Sequence, residues 1–231
     1  MSSYCGDPPL PVNIIESWNM DPWLIGALGF AAVLASRASS ARPALLGLLA
    51  LAVALISPLC ALSVALFAAR SVHHLLIVAV AAPLLAASLP GSGRPQVGAM
   101  LLVSTATLWA WHLPAAYDAA IADAGTYWAM QITLFASALF LWRALFSAPS
   151  PTALVGAVGG MAQMGMLGSI LTFAPAPLYS SHLTTAAAWG LEPLEDQQLG
   201  GLVMWVVGMI PYAAAAAWLA WRGWNRTVQM T

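Results

Sequence analysis

Four histidines, His73, His74, His112 and His182, are the side chains of this sequence best suited to chemistry. Imidazole is a common ligand for copper and for haem iron. His73 and His74 fall in the first turn of a predicted third helix, His112 in the last turn of a fourth, and His182 in the segment after a sixth. All four therefore gather at one membrane boundary. His74 and His112, on consecutive helices, lead the candidate metal ligands, with His73 and His182 behind them. Adjacent helical positions point about 100° apart, so His73 and His74 are not expected to face the same interior. The competing reading is that boundary histidines are amphipathic anchors. Cys60 and Met130 lie near the same boundary, and Met161 and Met164 share a deeper face. These sulfurs suit Cu(I), although membrane methionines more often pack.

Polar groups flank the histidines. Tyr117 and Asp118 follow Trp111-His112-Leu113-Pro114, and Glu195, Asp196, Gln197 and Gln198 lead into the last predicted helix. Asp196 is placed to hold an imidazole in one tautomer, or to cap that helix. Tyr117, Asp118 and Gln197 are the other supporting candidates. No HExxH, phosphate-binding loop or GxSxG elbow occurs, so the chain does not read as an enzyme.

The elements that must position these groups are membrane helices. The 231 residues are 61% hydrophobic and 6% charged, whereas soluble domains carry about a quarter charged residues. An all-α bundle of about seven spans is expected. Predicted helices run from Trp23 to Ser36, from Pro43 with a kink or stop at Ser57-Pro58, from Val72 to Leu89, from Val97 to Leu113, from Thr126 to Phe146, from Thr152 to Ala174 and from Leu199 to Arg222. They form one transmembrane domain over 23–222, preceded by an outer segment, 1–22, and followed by a cytoplasmic tail, 223–231.

Arginine orients this map, because cytoplasmic loops attract positive charge. Arg37, Arg42, Arg94, Arg143, Arg222 and Arg226 fall on one side and Arg70 alone on the other, where all eight acidic residues lie. The N-terminus is thus expected outside and the C-terminus in the cytoplasm. Trp18, Trp23, Trp109, Trp111 and Trp128 mark the outer interface, and Trp142, Trp218, Trp221 and Trp224 the inner one. No Asp, Glu, Arg or His falls at the centre of a predicted span, which argues against a proton-driven carrier. The net charge of -1, without a single lysine, excludes nucleic acid as a partner. The first twenty residues lack the basic and apolar regions of a cleaved signal. Cys5 and Cys60 allow one bridge and no disulfide framework.

Three motifs then carry a resemblance. Arg70-Ser71-Val72-His73-His74-Leu75-Leu76 with Pro83-Leu84-Leu85, Trp111-His112-Leu113-Pro114 with Tyr117-Asp118-Ala119-Ala120, and Asp196-Gln197-Gln198-Leu199-Gly200-Gly201 with Met204-Trp205 resemble the CtaG family of cytochrome c oxidase assembly factors, the caa-type branch. The resemblance implies a multi-spanning, non-enzymatic protein of a bacterial cytoplasmic (inner) membrane. It would help mature a haem-copper oxidase by handling copper at the outer face, with oxidase subunits or a copper chaperone as partners. Metal roles pass to His74 and His112, and a supporting role to Asp196. One departure is clear: where the family pattern has a histidine four residues before the one matching His74, this chain has Arg70, and His73 stands where glutamine is usual. The alternatives are a haem- or quinone-binding redox protein and a structural subunit of a membrane complex.

Overall fold

The computed structural model describes residues 3–90 and 96–228, with side chains to residue 225. The described residues are helical, without strands. Helix α1 is Pro22–Ser36, α2 Ala41–Leu55 and α3 Pro58–Ala65. Helix α4 is Phe67–Ser88, α5 Val97–Trp111 and α6 Pro114–Ala122. Helices α7, Ala124–Ser147, and α8, Ser150–Thr172, precede α9, Pro193–Asn225.

Four of these, α4, α7, α8 and α9, are long and apolar enough to cross a membrane, and six spans result if the bent pairs α2/α3 and α5/α6 each cross once. The expected seventh would be α1. Its 15 residues reach about 22 Å at 1.5 Å per residue, short of a hydrocarbon core of about 30 Å.

Local chemistry accounts for the ends and bends. Asp21 accepts hydrogen bonds from the amides of Trp23 and Leu24, so the Asp21-Pro22 start is built as expected. At Ser57-Pro58 the helix is interrupted: α2 ends at Leu55, Ser57 accepts from Leu59 N, and α3 leaves at 47° to α2. Pro114 opens α6 after a 72° bend. Pro83 and Pro211 each follow a π-helical turn, Leu76–Ala81 in α4 and Val203–Val207 in α9. A proline ring clashes with the carbonyl four residues earlier and removes a hydrogen bond. The wider π turn takes up that misfit without breaking the span.

Two starts differ from the sequence expectation by more than two residues. Helix α4 begins at Phe67 rather than Val72, and α9 at Pro193 rather than Leu199. The first has a tertiary cause, since Asp196 of α9 accepts hydrogen bonds from Phe67 N at 2.7 Å and Ala68 N at 3.0 Å. No local cap precedes Phe67: the residue at that position is Leu66. The second has a local cause, a capping box between Glu192 and Glu195 with Pro193 in the first turn. Asp196 therefore does not cap its own helix.

Helix α4 is the hub, packed on α2, α3, α7 and α9, while α5 lies on α7 and α8. Glycines set the closest approach. A Cβ on Gly201 of α9 would lie 2.6 Å from Thr172 N and 2.8 Å from Gly168 O of α8, and one on Gly168 would lie 2.6 Å from Trp205 N. The Gly156/Gly160 pair works differently, against side chains: Gly156 against Leu145 and Val97, and Gly160 against Tyr212.

One end of the bundle carries Arg143, which donates to Pro90 O and borders a hollow with Trp218. Trp218, Trp221 and Trp224 are exposed there, as interface residues should be. Trp142 is not. It is buried, donates to Val78 O inside the π turn and stacks on Tyr212. Arg94 lies outside the described residues, as does the side chain of Arg226. The opposite end holds the histidines and a Cys5–Cys60 disulfide with a Cα–Cα distance of 5.3 Å. Neither cysteine is then available as a soft metal donor.

A Gly201→Ala substitution forces α8 and α9 apart at backbone contacts that cannot rotate away. It is expected to cost about 1–3 kcal/mol, measured as a lower thermal-unfolding midpoint, with Gly29→Ala in open surroundings as the silent control.

Candidate functional site

The early start of α4 decides where its polar residues sit. With Phe67 as the first helical residue, Arg70 closes the first turn and His73 and His74 occupy the second. Both imidazoles are buried, at 0% and 4% exposure, against the expectation that one would face elsewhere. Neighbours on either side of α4 cover them both. The ring centroids of His73 and His74 are 5.6 Å apart, and those of His74 and His112 are 6.1 Å apart.

His112 ends α5. Its Nδ1 lies 2.7 Å from Leu108 O, and because a carbonyl only accepts, Nδ1 carries the proton and Nε2 carries the lone pair. The ring nitrogens of His73 and His74 have no hydrogen-bond partner among the described residues.

His182 sits apart from this trio. Its Nε2 is 2.7 Å from the Tyr117 hydroxyl, and its ring meets Phe67 and Tyr117 edge to face. Tyr117 and Asp118 thus serve the His182 loop. Asp118 accepts from the amides and hydroxyls of Ser180 and Ser181, which ties the loop to α6. Tyr179 stacks on Phe67 and donates to His112 O. Gln197 accepts from Leu178 N at 2.6 Å and so holds the same loop. Asp196 commits both carboxylate oxygens to the start of α4, and its hydrogen bonds go to Phe67 and Ala68 rather than to an imidazole. Its effect on the histidines runs through the backbone that presents them.

Arg70 is the residue that the sequence pattern undervalues. It is 1% exposed, its Nε donates to Ser63 O at 3.2 Å, and its guanidinium lies 5.6 Å from the centroid of the Tyr127 ring. Tyr127 in turn contacts the Cys5 and Cys60 sulfurs through its hydroxyl. The charge of Arg70 acts on His73, His74, Tyr117 and His182. Its isolation on the acidic side of the charge map is the one signal of this in the sequence.

No group of three or more His, Cys, Asp or Glu side chains among the described residues is arranged to hold a metal. Two imidazoles remain. Nitrogens about 2 Å from a shared ion, with each ring aimed at it, put the centroids about 6 Å apart, the spacing His74 and His112 have. A ligating histidine commonly donates its other ring N–H to a backbone carbonyl, as His112 does to Leu108.

Residues 93–226, more than half of the chain, match the family model described as cytochrome c oxidase caa3 assembly factor (CtaG). The matched stretch contains His112, Tyr117, Asp118, His182, Asp196 and Gln197, whereas Arg70, His73 and His74 precede it. No curated protein and no solved structure shows a significant match to the chain.

Replacing Asp196 by Ala leaves two buried amides of α4 without an acceptor. A loss of about 2–4 kcal/mol is expected, read as a lower unfolding midpoint and faster hydrogen exchange at Phe67 and Ala68. His182 gives a pH dependence. Burial first, and the Arg70 charge second, lower its pKa from 6.5 to about 4. The folded state therefore binds fewer protons than the unfolded state between those values, and stability falls as pH drops through this window. The thermal midpoint should decline from pH 7 to pH 4.5, and less so in His182→Gln.

Proposed function

Since the chain belongs to the CtaG family of cytochrome c oxidase caa3 assembly factors, we propose that it serves oxidase maturation by holding a copper ion between His74 and His112. The observation that carries this reading is the meeting of two buried imidazoles from the consecutive helices α4 and α5, their ring centroids 6.1 Å apart. Neutral imidazole suits copper, and the Leu108 carbonyl holds His112 in the tautomer that presents Nε2. His73, in ring contact with His74, is the reserve donor. His182 is held by Tyr117 and orders the outer loop.

In this reading the histidine end faces outward from a bacterial cytoplasmic membrane. The arginine asymmetry supports that direction. So does the Cys5–Cys60 bridge, because disulfides persist in oxidising compartments. The protein acts without catalysing a reaction, and copper is its cargo, passed to or from an oxidase subunit or a chaperone.

Purified protein loaded with Cu(I) and desalted should retain about one ion per chain in a two-imidazole site. The His74→Ala/His112→Ala double variant should retain none. Equal copper in both preparations would remove the site assignment. A Soret band in the protein as isolated would shift the ligand to haem.

A further inference from the structure

Among the described residues two buried side chains carry a formal charge, Arg70 and Asp196. They do not pair. The Asp196 oxygens are occupied by the Phe67 and Ala68 amides, and Arg70 donates through Nε to Ser63 O, with the Tyr117 hydroxyl also beside its guanidinium. Both terminal nitrogens, Nη1 and Nη2, are buried without a partner among the described residues. Arginine cannot relieve this by losing its proton, because its pKa lies above about 12. Burying an uncompensated charge is strongly unfavourable. Water would satisfy the N–H groups but would leave the charge standing.

We propose that the Nη1/Nη2 edge of Arg70 is the receptor for a small monoanionic carboxylate, of the size of formate or acetate. The geometry selects the class. With Nε committed to Ser63 and one face of the guanidinium towards the Tyr127 ring, the two-pronged end, with the Tyr117 hydroxyl beside it, carries the N–H groups that lack a close acceptor among the described residues. That edge matches the two oxygens of a planar carboxylate. A single guanidinium balances one negative charge, which favours a monoanion over a phosphate dianion. His73 and His74, whose four ring nitrogens are likewise unpartnered, supply further donors beside it. Arg70, His73 and His74 are 0–4% exposed, so the proposed ligand is restricted to a small solute and does not include the side chain of a partner protein. The inference needs no metal, so it stands or falls apart from the copper reading.

The test uses metal-free, full-length protein in nanodiscs at constant ionic strength. Binding of 13C-formate is followed by line broadening, and the guanidinium resonances by 15N-arginine labelling. Saturable formate binding is expected, with a shift at one of the seven arginines. Arg70→Gln should abolish binding. Arg70→Lys keeps the charge but loses the two-pronged edge, and should weaken binding about tenfold or more. Absence of saturable binding to the wild type, or of any arginine shift, overturns the proposal whether or not the variants fold. Unchanged affinity in a folded Arg70→Gln protein does the same. Equal competition by chloride would refute carboxylate selectivity, and equal competition by N-acetyl-aspartate amide would refute the restriction to a small solute.

Discussion

The carboxylate of Asp196, set against the amides of Phe67 and Ala68, is the contact on which the histidine end of this bundle depends. A helix start leaves its first N–H groups without partners, and burying them is costly. Leu66 has no side chain able to accept. A residue 129 positions further along the chain meets the need instead. The carboxylate also favours the positive end of the α4 dipole. That one arrangement locks α9 to α4 and fixes the helical phase at which Arg70, His73 and His74 project. Gly200, one turn after Asp196, lies against Phe67 and Ser71, which lets the two helices come close enough for the carboxylate to reach.

Further along the same two helices, Pro83 and Pro211 each follow a π turn. In α4 this turn begins two residues after His74. Its Val78 carbonyl receives the Trp142 indole, which anchors α7 against α4 below the site. The polar end is closed from outside by the loop after α8, held by Asp118, Tyr117 and Gln197, and from the N-terminal side by the disulfide behind Tyr127. The three loop-holding side chains, candidates by sequence for partners of a metal-bound imidazole, thus act on the architecture. They keep in place the walls within which the imidazoles stay buried.

The family match and the site overlap only in part. His112 and the residues that order the loop after α8 lie inside the matched stretch, and the Arg70-to-His74 segment lies before it. The half of the site outside the match is also where Arg70, the one arginine on the acidic side of the charge map, stands. A guanidinium among imidazoles changes what the pocket tolerates, because it opposes a bare cation and attracts an anion.

The sequence by itself determined the solvent and the helical class of the fold, though not α6 or the number of spans. Its apolar composition, its proline and Asp-Pro punctuation and its one-sided arginines are local or additive signals, and they suffice for an all-helical membrane bundle with a polar, histidine-bearing end. They also led to His74 and His112, because a helix end is legible from Pro114. Tertiary structure decided the rest. The true start of α4, the burial of both His73 and His74, the Cys5–Cys60 pairing and the inward place of Trp142 all depend on groups far apart in the chain. Periodicity cannot register a cap supplied from another helix. Nor can it show that an arginine drawn in a loop stands, without a counter-ion among the described side chains, at the centre of the polar cluster.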